Sequence, residues 1–324
     1  GLDASFFKNK LTLEADYFNR NSFDILYTNF PIPFTLGVAS LAAQNSASML
    51  NKGLELNMNY NHRSKRSVSY NVGFNVTKNA RNRVTDLGNG VQTVTGTNII
   101  RAGDPFNAYY GLRMIGIFQD AAEVASSPIQ YGNARTAPGD IKYADVSGPD
   151  GIPDGIVNDF DRTVIGNPYP IWLYGVNSSM SYKGFNLSVT VQGVAEVDRL
   201  LRLGGAEPLV SDRDNALDYW RNRYTPENPS TTLPRLGGVN NDNVSSFYIQ
   251  DASYLRLRNV ELGYELPKKI TNKMRIGSLR FFVSGQNLIT ITKMENYDPE
   301  RPANSNARLV PLYKSFTGGL NFTL

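Results

Sequence analysis

The residues best suited to chemistry lie in one stretch, 138–162, which is dense in carboxylates and glycine. Hard cations such as Ca²⁺ need several oxygens gathered on a tightly turning backbone. Counting from Asp150 in an EF-hand-type register puts Asp150 at position 1, Asp154 at 5, Gly155 at 6, Asn158 at 9 and Asp161 at 12. Ile152 at position 3 cannot ligate, and Asp161 stands where a Glu is usual. A second start would use Asp145 and Ser147, with Gly148 and Pro149 disturbing the spacing. Asp145, Asp150, Asp154, Asn158 and Asp161 are therefore the candidate ligands of a structural Ca²⁺. The alternative is a run of Asx turns that close the loop on its own backbone without metal.

Other chemistry is largely excluded. The chain has no cysteine, which removes thiolate catalysis, disulfides and Cys-bound metals. Its one histidine, His62, sits in the turn-like run Tyr60-Asn-His-Arg-Ser64, a poor setting for a catalytic triad. No phosphate-binding loop, nucleophile elbow or His-Glu-x-x-His motif occurs. No carboxylate spacing singles out a glycosidase pair. The residues read as a protein that is not an enzyme and has no cofactor beyond the possible Ca²⁺. Tyr219, Trp220 and Phe247 could stack on sugar rings or peptide side chains, but packing of their own loops is the favoured reading.

The elements that hold these residues are strands. In the run 54–61, Leu54, Leu56, Met58 and Tyr60 alternate with Glu55, Asn57, Asn59 and Asn61. The runs 11–17, 68–77 and 185–192 follow the same period of two. Successive strand side chains point to opposite faces, so each run has one apolar and one polar face. The polar faces are mostly Asn, Ser and Thr, as a wet barrel lumen requires, and the run lengths suit tilted membrane-crossing strands. Aromatics near the strand ends resemble the girdles of an outer-membrane barrel. Further strands are expected at 23–28, 108–118, 171–182, 254–266, 279–292 and 313–324, about ten in all. The apolar phase flips near Asn259, which predicts a β-bulge. Connections are tight at Lys183-Gly184 and long at 120–167 and 196–251, and a short helix is expected at 215–224. Long and short connections do not alternate strictly on this count, so a strand is expected to be missing from it, within 79–120 or 139–166. A soluble carbohydrate-binding β-sandwich also alternates and is the competing architecture.

Composition agrees with an all-β chain. There are 18 Tyr and 16 Phe among 324 residues, and Lys+Arg (33) barely exceeds Asp+Glu (29), which argues against nucleic acid as a partner. The longest apolar stretch, 30–43, is broken by Pro31 and Pro33 and is too short for a membrane helix. The opening Gly-Leu-Asp has neither Met nor a basic leader, and reads as a fragment or mature piece.

Several stretches, in order, resemble the SusC/RagA family of TonB-dependent transporters from Bacteroidetes. They are the opening 1–18 with Asp24-Ile-Leu-Tyr27, Met49-Leu-Asn-Lys-Gly-Leu-Glu-Leu56, Gly116-Ile-Phe-Gln119, Asp161-Arg-Thr-Val-Ile-Gly-Asn-Pro168 and Tyr182-Lys-Gly-Phe-Asn-Leu187. Then come Asp251-Ala-Ser-Tyr-Leu-Arg-Leu-Arg-Asn-Val260, Leu262-Gly-Tyr-Glu-Leu-Pro267, Gly285-Gln-Asn-Leu-Ile-Thr290 and Tyr297-Asp-Pro-Glu300. The resemblance implies a transmembrane antiparallel β-barrel in the cell outer membrane, with residues 1–324 as the C-terminal portion of about 22 strands. It implies that the N-terminal plug, the TonB box and the first strands lie outside these residues. It also implies import of oligosaccharides or peptides, driven through the TonB-ExbB-ExbD complex, beneath a SusD-like lipoprotein lid and surrounded by outer-membrane lipid.

Overall fold

The computed structural model describes all residues except 39, 65–67, 132–134, 203–215, 239 and 303–311. Nine strands form one antiparallel sheet in which every neighbour in space is the neighbour in sequence. They are β1 (Leu2–Phe6), β2 (Leu11–Tyr27), β3 (Gln44–His62), β4 (Ser69–Asp86), β5 (Trp172–Tyr182), β6 (Phe185–Ala195), β7 (Tyr254–Glu265), β8 (Ser278–Thr292) and β9 (Ser315–Thr323).

The period-two pattern sets the register. Leu56 opposes Ala15 and Val76, Phe74 opposes Val176, Val189 opposes Val260, and Leu262 opposes Val283. One face of the sheet is therefore a continuous apolar surface. It is also exposed: Val283, Ile289, Ile291, Phe316, Leu320 and Phe322 are each 55% accessible or more. Among the described residues no second sheet covers it, so the sandwich alternative lacks its other half. An apolar face of this extent needs a non-aqueous neighbour. The opposite face carries the Asn, Ser and Thr partners, with Asn177 opposite Thr190 and Ser179 opposite Asn71.

The expected bulge is present. Residue 258 is skipped in the β7–β8 pairing between Leu257 and Asn259, which lets Leu255 and Leu257 share a face with Val260, Leu262 and Tyr264. The tight turn at Lys183-Gly184 has positive φ at both residues (47° and 89°), the backbone of a two-residue hairpin.

Among the described residues neither interval supplies a further strand of the large sheet; the short strands there, such as Asn98–Ile100 and Thr163–Gly166, belong to small sheets. The run 23–28 is not a separate strand but the end of β2, continued past a register shift beside Asp24 (φ 57°). The run 108–118 is not in the large sheet. Its two halves, Ala108–Gly111 and Met114–Ile117, belong to small sheets within a connection. With those two reassigned, short connections (7–10, 63–68, 183–184 and 266–277) alternate strictly with long ones (28–43, 87–171, 196–253 and 293–314). The pattern could not reveal this, because a short apolar strand in a loop carries the same period as one in a wall. The expected helix at 215–224 is a 3-10 turn, Asp218–Asn222, and Asn215 lies outside the described residues.

The long connections form a packed layer at one end of the sheet. Most of the fully buried apolar side chains lie there, among them Ile99, Tyr109, Phe118, Ile141, Tyr143, Val157 and Leu201. The layer includes a four-stranded sheet of Thr163–Gly166, Ala108–Gly111, Asn98–Ile100 and Thr93–Thr95. A helix, α1 (Ala121–Ser126), is capped by the Asp120 carboxylate accepting from the Glu123 N–H. Strands β2, β3 and β4 run 17 to 19 residues, well beyond the about 9–11 that a tilted crossing needs, so their ends stand up into this layer.

The two faces of the sheet should differ in tolerance. Arginine at Val72 or Val189 should destabilise the intact protein by about 2–4 kcal/mol, while arginine at Asn71 or Thr190 should cost little. Denaturant unfolding in detergent micelles measures both, and equal costs would refute the facing.

Candidate functional site: the polar inner wall and its folded-in loop

The polar face of β3 to β8 is the candidate site. Its side chains are short hydrogen-bonding groups that bond to one another across strands. The Asn71 amide donates to the Asn59 carbonyl oxygen (2.6 Å), and Arg280 donates to Glu261 (2.6 Å). Towards the short-turn end a concavity of about 510 Å³ is lined by Asn71, Ser179, Ser181, Ser188, Glu261 and Arg280 among others. Such a surface offers many weak, exchangeable hydrogen bonds to a hydroxyl- or amide-rich solute.

Near the long-connection end, a loop folds back onto this wall. Arg256, on β7, points to the polar face and is only 1% exposed. Its guanidinium donates to both Asp298 oxygens (2.9 and 3.1 Å), to Glu300 and to the Thr290 hydroxyl (2.9 Å). Glu300 also accepts from Arg258 (2.8 Å), Gln192 (2.9 Å) and the Tyr254 hydroxyl (2.7 Å). The Asp298 carboxylate accepts the Glu300 N–H (2.8 Å), which fixes the turn that presents both acids. Two separate stretches of the family resemblance, 251–260 and 297–300, thus meet as a charge network. Sequence gave no hint of this pairing, since the partners lie more than forty positions apart.

Further ties cross-link the loop layer. Asp140, 1% exposed, receives a two-pronged bond from Arg235 (2.7 and 2.9 Å) and a third from the Asn241 amide (3.2 Å). Hydrogen bonding to Asp140 raises the Arg235 pKa above its ordinary value. Burial raises the Asp198 carboxyl above the usual carboxylate range, against the lowering effect of the Asn167 N–H that it accepts. Burial likewise lowers the Arg199 guanidinium, which donates to the backbone oxygens of Pro168 (2.8 Å) and Arg301 (2.9 Å).

The Asp-rich stretch belongs to this layer rather than to the wall. Asp161 is fully buried and accepts three backbone N–H groups, from Val146 (2.6 Å), Ser147 (3.1 Å) and Asn158 (2.8 Å). Asn158 caps the following turn by accepting the Phe160 N–H (2.8 Å). Asp145 accepts the Gly155 N–H (2.8 Å), and its other carboxylate oxygen is buried without a partner. Asp154 accepts the Ile156 N–H (3.0 Å), and Asp150 is exposed. Among the described residues, no three His, Cys, Asp or Glu side chains stand close enough together to hold an ion. The five candidate ligands do not fit a preformed cage, because the best buried of them is already committed to backbone donors.

The remaining sequence candidates are packing groups. His62 stacks on Tyr70 (5.2 Å between ring centres). Trp220 is buried and meets Phe247 edge-on (6.2 Å) beside Tyr219. Asp298 and Glu300 are neutralised by arginines.

Two outcomes follow from these contacts. Arg256→Ala leaves Asp298 without its arginine and Glu300 with Arg258 alone, at a cost of about 3 kcal/mol. Tryptic cleavage at Lys293 should accelerate at least tenfold, and far less in Arg258→Ala; an unchanged rate would refute the tether. Asp161→Ala should speed amide exchange at Val146, Ser147 and Asn158 on the order of 100-fold, since each charge-assisted bond contributes about 1.5–3 kcal/mol. Millimolar Ca²⁺ should not restore protection, and restoration would revive the cation reading.

No family model matches the chain. A TonB-dependent receptor, P3, from Formosa agariphila is 30% identical over 99% of the chain. TonB-dependent receptor SusC from Bacteroides thetaiotaomicron is 23% identical, again over 99% of it. The chain spans about a third of the length of these curated relatives (33% and 31%). Among solved structures, the RagAB peptide importer in its open-open state superposes with a TM-score of 0.80 at 23% identity, covering 99% of this chain and 34% of that one. In sequence the chain is similar to TonB-dependent receptors, SusC among them, and in fold it matches a portion of the β-barrel of the RagAB importer.

Proposed function

We propose that this chain is part of the wall of an outer-membrane importer. It carries oligosaccharide fragments, or alternatively peptides, through a wet lumen without covalent change. The observation that carries the reading is the division of one sheet into an exposed apolar face and a polar, mostly uncharged face. Lipid covers the first and solute passes along the second. Asn, Ser and Thr side chains bind hydroxyls and amides weakly enough to release them, which transit requires.

Import against a gradient needs an energy source, and the TonB-ExbB-ExbD complex is the proposed one, acting through parts of the protein outside these residues. The packed loop layer is the proposed seat of a SusD-like surface lipoprotein. Support comes from the relatives: SusC is a TonB-dependent receptor, and RagAB is a peptide importer. On β4 to β6 the inner wall offers hydroxyl and amide groups such as Asn71, Asn177, Ser179 and Thr190, which favours saccharide over strongly charged peptide.

The test is recovery of the native full-length protein from detergent-solubilised outer membranes, followed by mass spectrometry of what remains bound. A stoichiometric surface lipoprotein is the expected result. Recovery of the protein alone from the aqueous fraction, without detergent, would overturn the reading.

A further inference from the structure

The apolar row of β3 (Leu54, Leu56, Met58 and Tyr60) stops abruptly at its long-connection end. The next outward residue is Lys52, and the register places Asn19 and Arg81 on either side of it. Two residues, 79 and 80, oppose the single Gly53 in the β3–β4 pairing. This bulge turns Arg81 outward, where unbroken alternation from Val76 and Lys78 would have turned it inward. Lys78 lies one row below, opposite Leu54 and Trp172, with its ammonium 4.6 Å from the Trp172 ring centre. Three cations therefore cluster on the outer face at the upper rim of the apolar band, beside Tyr17 and Trp172.

Among the described residues none of Lys52, Lys78 and Arg81 forms an ion pair; the neighbouring outward positions are Tyr17, Asn21, Leu50, Leu54 and Arg83, and the nearby Glu196 carboxylate accepts the Trp172 indole N–H (3.0 Å). Asp104, on the loop that bridges to β4 through Pro105, is taken by Arg101 (2.6 Å). Like charges directly opposite on paired strands repel, with side chains rooted only about 5 Å apart. A bulge that brings Arg81 beside Lys52 is thus unfavourable unless an anion lies between them. The patch is continuous with the lipid-covered face and sits at headgroup height, where aromatic side chains also collect.

We propose that Lys52, Lys78 and Arg81 bind the phosphate-bearing headgroup of an outer-leaflet lipid, with Trp172 against its acyl-chain boundary. The inference rests on the barrel's placement in the membrane. It commits to a lipid rather than free phosphate because the cations crown an apolar surface. Each cation near an anionic headgroup contributes about a factor of five in affinity.

The test uses the intact protein in detergent micelles doped with phosphorylated lipid A, with its dephosphorylated form or with phosphatidylcholine, and native mass spectrometry of retained lipid. Wild type should retain the phosphorylated lipid selectively, and less so as salt rises. Lys52→Gln/Lys78→Gln/Arg81→Gln should lower retention at least tenfold. Lys52→Arg/Lys78→Arg should retain it, which controls for folding, and Lys8→Gln/Lys10→Gln at the opposite rim should behave as wild type. Equal retention by wild type and the triple variant, or of phosphorylated and dephosphorylated lipid, would overturn the headgroup site while leaving the barrel intact. A protein that needs no detergent would overturn the membrane placement itself.

Discussion

Everything in this structure depends on the pairing of peptide groups between strands whose two faces meet different solvents. In hydrocarbon an unpaired N–H or C=O costs several kcal/mol, so a membrane wall must be a ladder without gaps. A ladder has a period of two, and a slip of one residue would exchange the faces of an entire strand. The apolar rows that run from β1 to β9 keep one phase across eight pairings, and where the phase breaks, a bulge restores it. Asn259 marks such a place. A bulge of this kind is the means by which a long meander stays correctly faced.

That constraint explains why the buried core lies outside the wall. A single sheet between lipid and lumen encloses almost nothing, and its side chains are exposed on both faces. The close-packed interior is instead built from the long connections, around Tyr109, Phe118, Ile141 and Tyr143. These residues fold into small sheets and turns held by buried polar bonds. Asp140 with Arg235, and Asp161 with three backbone N–H groups, each join segments that are distant or sharply turned. A buried carboxylate is tolerated there because donors surround it.

Arg256 connects the two regions. It stands on the wall but binds acids that belong to a loop, and so fixes where that loop lies against the lumen face. Its burial would be costly without Asp298 and Glu300, and their approach to the wall would be costly without it. The network also absorbs the charges of this end of the inner wall, leaving hydroxyl and amide groups as the surface that a passing solute meets.

The sequence by itself determined the parts that rest on local periodicity. The strands, their facing, the bulge at Asn259 and the hairpin at Lys183-Gly184 were all legible, because neighbouring residues must point to opposite sides and only certain dihedrals close a two-residue turn. The ordered motifs carried the family resemblance. The tertiary structure decided what depends on contacts distant in sequence. It assigned 108–118 to the loop layer, extended β2 through 27, spent Asp161 on backbone donors, and brought 297–300 onto Arg256. An Asp-rich turn can close on a cation or on its own amides with the same letters, and an arginine in a strand does not name its partner. Such choices are made by the geometry of chain segments that meet only after folding.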